Sequence, residues 1–122
     1  MPIVTVELVD DPGRPLERSL TQSLADVIGR VLNSPPGQCW VRLRLLPRDA
    51  YAENDALVDE GGLPVFVTLL ERRPPVGAKL QDQITALTHA IAQVVGRPAD
   101  CVHVEFAPAA VGRVAFGGKL VQ

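Results

Sequence analysis

Cysteine and aromatic residues are scarce in this chain. Of 122 residues only two are cysteine, and aromatics make up 4%. Cys39 and Cys101 form no CxxC pair, and His89 and His103 do not cluster with them. That spacing argues against a zinc site. Both cysteines read as small apolar side chains of the core. An excess of one charge is also missing, the formal net charge being −2. The basic field of a nucleic-acid binder is therefore absent, and no nucleic-acid partner is expected. The longest largely apolar run, Leu63–Leu70, is far too short to span a bilayer. The opening MPIVTVELVDD has neither the basic region nor the apolar stretch of a signal peptide. The expectation is a soluble, cytoplasmic protein without a membrane partner or a disulfide.

Apolar residues are plentiful at 47%, enough for one small core. Their pattern reads twice. Pro2–Val9 is rich in β-branched residues and predicts a strand. Asp10–Arg14 carries turn chemistry. Leu16, Leu20, Leu24, Val27, Ile28, Val31 and Leu32 then recur at helical spacing, and Asn33–Gly37 stops that helix. Cys39–Leu46 alternates, with Val41, Leu43 and Leu45 on one side and Trp40, Arg42 and Arg44 on the other.

The second half follows the same order. Pro64–Leu70 predicts a strand, and Glu71–Val76 a turn with Arg72 and Arg73. Leu80, Ile84, Leu87, Ile91 and Val94 mark a helix face, stopped at Gly96, Arg97 and Pro98. Cys101–Ala107 alternates, with His103 and Glu105 opposite Val102, Val104 and Phe106. Leu24 and Leu87, Ile28 and Ile91, Val31 and Val94, Pro35 and Pro98, and Val41 and Val104 share one offset of 63 positions. Pro2 and Pro64 are 62 apart, so one residue separates the repeats in length.

The chain therefore divides into a first repeat over 2–46, a connector over 47–63 and a second repeat over 64–122, within one domain. The connector is polar and turn-rich, with one short strand expected near Ala56–Val58. A β-α-β unit places its strands parallel with the helix across one face. Two units give an α+β fold, four strands covered by two helices on one side. The other face has no helix, and an open apolar face predicts association with further copies.

The start Met1-Pro2-Ile3-Val4, the doubled β-α-β order and the terminal Gly112-Arg113-Val114-Ala115-Phe116-Gly117-Gly118 resemble the tautomerase superfamily. That superfamily includes 4-oxalocrotonate tautomerase, macrophage migration inhibitory factor, cis-3-chloroacrylic acid dehalogenase and malonate semialdehyde decarboxylase. The resemblance covers nearly the whole chain. It implies a four-stranded mixed sheet, a homotrimer, no cofactor and a small carboxylate substrate. It also implies a function: a tautomerase or isomerase acting on a 2-oxo or 2-hydroxy unsaturated acid, with Pro2 as general base. Removal of Met1 would give Pro2 a free secondary amine able to move a proton beside a carbonyl. Pro64, at the matching place, has an amide nitrogen and no such chemistry. A malonate semialdehyde decarboxylase-like or hydratase-like activity, and a non-catalytic trimeric role with a blocked Pro2, are the alternatives.

Residue by residue, the resemblance makes Arg72 and Arg73 the substrate-carboxylate arginines, a task their planar fork suits. The second arginine of the dehalogenase and the decarboxylase falls on Pro74 or Pro75, with Arg73 close by. His103 and Glu105 stand where family members carry site residues and join the substrate-binding candidates. Phe116 is a further one, and it occupies the place of the dehalogenase's water-activating glutamate. Its presence argues against hydrolytic dehalogenation. Gly117-Gly118 predicts a tight turn rather than a phosphate loop, because no P-loop lysine accompanies it.

Overall fold

A computed structural model describes residues 2–58 and 62–122. Met1, and residues 59–61 of the connector, lie outside the described residues. The first repeat comprises β1 (Ile3–Val9), α1 (Leu20–Val31) and β2 (Trp40–Leu46). The second comprises β3 (Val65–Leu70), α2 (Ala78–Val95) and β4 (Val102–Phe106). A hairpin of β5 (Ala115–Phe116) and β6 (Lys119–Leu120) follows. The main sheet has the order β2-β1-β3-β4. β1 runs parallel to β2, β3 parallel to β4, and β1 antiparallel to β3, so the sheet is mixed. No helix among the described residues is long and apolar enough to cross a membrane.

Alternation along the central strands builds the core. Val4, Val6 and Leu8 of β1 and Val65, Val67 and Leu69 of β3 are almost fully buried. They meet Leu20, Leu24 and Ile28 of α1 and Leu87, Ile91 and Ala92 of α2. The two helices pack against each other on one face of the sheet. Each ends on a left-handed residue that closes the last turn. Asn33 has φ 53°, and Gly96, at φ 70°, donates its N–H to the Ala92 carbonyl at 2.9 Å. Gly117 and Gly118 both have positive φ, the geometry of a two-residue type I′ hairpin, so the expected tight turn is present.

Three local expectations are corrected. The first helix starts at Leu20 rather than near Leu16. Asp11 holds the preceding turn by accepting the Gly13 N–H at 3.1 Å, and Pro15 disfavours helical backbone at Arg14. Leu16 consequently lies outside the helix, 37% exposed. Leu45 was expected on the covered side of β2, yet it is 52% exposed. It sits near the end of an edge strand, where the late start of α1 leaves little to cover it. No strand forms at Ala56–Val58. Asp55, at φ 54°, closes a turn with a single Glu53–Ala56 bridge, and Leu57 is fully exposed.

The uncovered face differs too, being mixed rather than apolar. Register puts Arg42, Thr5, Thr68 and Glu105 abreast across the four strands, with Arg44, Glu7, Phe66 and His103 in another row. Arg42 Nη2 donates to Thr5 Oγ1 at 3.1 Å. Basic side chains thus occupy the β2 edge, and Glu105 the β4 edge.

Candidate active site

The site is built where β1 begins and β3 ends. Antiparallel register ends at the pair Ile3–Leu70, and the next residues outward, Pro2 and Glu71, line one cavity. Pro2 is half-buried, and its carbonyl accepts the Trp40 N–H at 3.0 Å. That bond continues the parallel β1–β2 ladder by one step and fixes the start of the chain. On the other side of β1, β3 runs directly into the turn Glu71-Arg72-Arg73. The following segment fastens this turn: Ala110 N–H donates to the Glu71 carbonyl at 2.9 Å and Val111 N–H to the Arg72 carbonyl at 3.3 Å.

A cavity of about 350 Å³ is lined by Pro2, Glu71, Arg72 and Arg73, with Asn33 and Ser34 from the end of α1. Arg72 and Arg73 are exposed. Arg72 Nη2 donates to the Gln122 main-chain oxygen, tying the C-terminal segment to the turn. Glu71 is half-buried. Burial pushes its carboxyl above the usual carboxylate range, and the Gln83 amide, donating to Glu71 Oε2 at 3.1 Å, opposes that rise. Asn33 and Ser34 reach the cavity because the left-handed Asn33 turns the chain there.

Further cavities lie elsewhere among the described residues. One of about 210 Å³ lies between Asp11, Arg14 and Arg97 at the opposite end of β1. Another of about 300 Å³ lies beside Gly29 and Cys39, whose half-buried thiol is pushed up by burial. Neither contains Pro2. No group of three His, Cys, Asp or Glu side chains among the described residues could hold a metal.

The structure brings Pro2, Arg72 and Arg73 to one cavity. Phe116 stands near it through Trp40. Their rings meet edge to face at 5.3 Å and 70°, while Trp40 Nε1 donates to the Gly37 carbonyl at 3.0 Å. His103 and Glu105 are not brought to Pro2 within one protomer. Both are exposed on the uncovered face of β4, with the His103 ring 5.7 Å from Phe66. Sequence reasoning treated Glu71 only as a turn residue and passed over Gln83. One signal for Glu71 was present, because it is the carboxylate next to the Arg72-Arg73 pair. Gln83 carried one signal too, as a polar residue at apolar-face spacing, three positions after Leu80 and four before Leu87.

No protein-family model and no curated protein matches the chain. Solved structures do match over nearly its whole length. A wild-type F6 fused 4-OT, an asymmetric trimer, is 20% identical with a TM-score of 0.77, covering 98% of this chain and 95% of that one. Pt0534 inactivated by 2-oxo-3-pentynoate is 16% identical with a TM-score of 0.73, at the same coverage of 98% and 95%. A macrophage migration inhibitory factor homologue from Prochlorococcus marinus is 16% identical with a TM-score of 0.71, covering 98% of this chain and 99% of that one. At such identities the likeness establishes architecture: the chain has the tautomerase-superfamily fold, two β-α-β repeats in one mixed sheet.

Proposed function

We propose that this protein, with Met1 removed, is a cofactor-independent tautomerase of small 2-oxo or 2-hydroxy unsaturated carboxylic acids, acting in the cytoplasm. The whole chain is one functional unit of two repeats. The observation that carries this reading is the cavity shared by Pro2, Arg72 and Arg73. Processed Pro2 presents a secondary amine, and an ordinary α-amino group has a pKa of roughly 8. Two nearby cations disfavour the ammonium form and a carboxylate favours it. The neutral form is the base, so kcat/KM rises with pH through the amine midpoint. The neutral amine takes the proton next to the carbonyl, or from the enol oxygen, and returns it to another atom of the same substrate. No electron acceptor or hydrolytic water is required.

Arg72 holds the substrate carboxylate in this scheme. In the unliganded chain Arg72 is engaged by a Gln122 oxygen, the place a substrate carboxylate would take with a charge-assisted pair of hydrogen bonds. Arg72→Ala should weaken a carboxylate substrate by about 1.5–3 kcal/mol, roughly 10- to 150-fold in KM. Steady-state kinetics on a carboxylate substrate read the effect, and unchanged KM and kcat would remove Arg72 from the site.

The fused 4-OT neighbour is a trimer, and the uncovered sheet face here offers basic side chains at one edge and a glutamate at the other. A homotrimer follows, with edge β2 of one copy against edge β4 of the next. Sedimentation at micromolar concentration should give three times the chain mass. A stable monomer would refute the assembly.

The decisive assay follows enol–keto conversion of phenylenolpyruvate and 2-hydroxymuconate in the ultraviolet. It is coupled to inactivation by 2-oxo-3-pentynoate, the reagent that inactivates the Pt0534 neighbour. Activity together with an adduct on Pro2 supports the reading. A processed protein inert in both experiments rejects it.

A further inference from the structure

Glu71 and Gln83 meet between the β3 turn and α2 through one hydrogen bond, Gln83 Nε2 to Glu71 Oε2 at 3.1 Å. The two remaining oxygens, Glu71 Oε1 and Gln83 Oε1, are buried and have no partner among the described residues. A buried acceptor without a donor costs about 1–3 kcal/mol, so such an oxygen calls for an explanation. For Glu71 the explanation lies across the strand pair. The β1–β3 ladder ends one residue short of Pro2 and of Glu71, and both line the same cavity, where Glu71 is the one acidic side chain among the lining residues. While Met1 is attached, the Pro2 nitrogen carries no hydrogen. Once Met1 is gone the same nitrogen has one hydrogen as the amine and two as the ammonium.

We propose that Glu71 Oε1 accepts a hydrogen bond from the Pro2 amine of the processed chain, with Gln83 holding the carboxylate's other oxygen. This rests on the reading of Pro2 as a free amine. Glu71 is then the positioning residue of the base. The amine spends its hydrogen on Glu71 and turns its lone pair towards the cavity. When Pro2 takes a substrate proton, the ammonium gives one N–H to Glu71 and keeps the other for return to the substrate, so no proton is gained or lost. On the elements that meet there, the other charged side chains are Arg72 and Arg73 on the same turn, Lys79 and Asp82 on α2, and Arg113 on the segment that fastens the turn, with Gln122 bonded to Arg72. Cys39 precedes the residue bonded to Pro2, and burial keeps its thiol titrating high.

The test reads titrations without turnover. Nitrogen-15 NMR of Pro2 in the processed protein gives the amine midpoint directly. In Glu71→Gln that midpoint should fall by about one unit or more, since a neighbouring carboxylate favours the ammonium. Asp49→Asn, on an exposed turn, should leave it in place. An unchanged or raised midpoint in Glu71→Gln would overturn the proposal. A second measurement needs no substitution. Carbon-13 NMR follows the Glu71 carboxyl in wild-type protein with Met1 retained and with Met1 removed. The midpoint should be lower in the processed form, where the ammonium is on Pro2 itself and bonded to the carboxylate, rather than on Met1 one residue away. Equal midpoints would overturn the proposal as well. Catalysis by Pro2 is judged separately in the ultraviolet assay, so an inactive protein with coupled titrations would sink the tautomerase reading and leave this inference standing.

Discussion

Replacing Pro2 with alanine in the processed chain should lower kcat/KM on phenylenolpyruvate by about 10²- to 10⁴-fold, the range of a positioned general base. Alanine keeps an N-terminal amine, so the loss measures positioning as well as basicity. The pyrrolidine ring fixes the direction of the nitrogen lone pair, whereas a primary amine rotates. Retention of Met1 should have a larger effect, because the Pro2 nitrogen becomes an amide with no basic lone pair. In both cases the turn arginines stay in place, so the loss should appear in kcat rather than in KM. Intact-mass spectrometry of each sample assigns its activity to the processed or the unprocessed form. Full activity in protein that carries Met1 would end the amine mechanism, and full activity in processed Pro2→Ala would end the role of the proline ring.

The residues that carried the fold in the sequence are the ones the core buries. Leu24 and Leu87, and Ile28 and Ile91, share the repeat offset, and all four are 0–1% exposed. Apolar periodicity reports burial, so it located both helices and the inner face of the central strands. It reports nothing about polar partners across elements. The Glu71–Gln83 bond joins residues 12 positions apart on a turn and a helix, and neither side chain is apolar. The uncovered face was legible as a face, since Trp40, Arg42 and Arg44 alternate with Val41, Leu43 and Leu45. Its mixed character emerges only when register sets Arg42 beside Thr5, Thr68 and Glu105. Of the site candidates, Pro2, Arg72 and Arg73 came from the resemblance, and the β1–β3 pairing supplies the physical reason they share a cavity. His103 and Glu105 came from the same source, and β4 points them to the face away from the helices.

Arg97 was legible only as part of the helix stop between Gly96 and Pro98, yet it joins the two central strands at the end of the sheet remote from Pro2. Nη1 donates to the Leu63 and Pro64 carbonyls at 3.2 and 3.1 Å, and Nη2 donates to the Val9 carbonyl at 2.7 Å. One planar guanidinium thus spans the end of β1 and the entry to β3, acceptors that no single short side chain reaches together. Burial lowers its pKa and Asp11 opposes that fall. Arg97→Ala should cost on the order of 3 kcal/mol. Hydrogen bonds to a charged group contribute about 1.5–3 kcal/mol each, and the half-exposed position returns part of the loss through water. Arg97→Lys should recover less than half, because one ammonium cannot span three carbonyls. Urea unfolding measures both variants at one protein concentration, since an assembled state adds concentration-dependent stability. A wild-type midpoint and slope in Arg97→Ala would show the contacts to be incidental. The same clamp bears on the site: the β1–β3 pairing it secures is the one that brings Pro2 and Glu71 to one cavity, so a destabilised Arg97→Ala protein should also lose the coupled titration of those two groups as its strand pairing loosens.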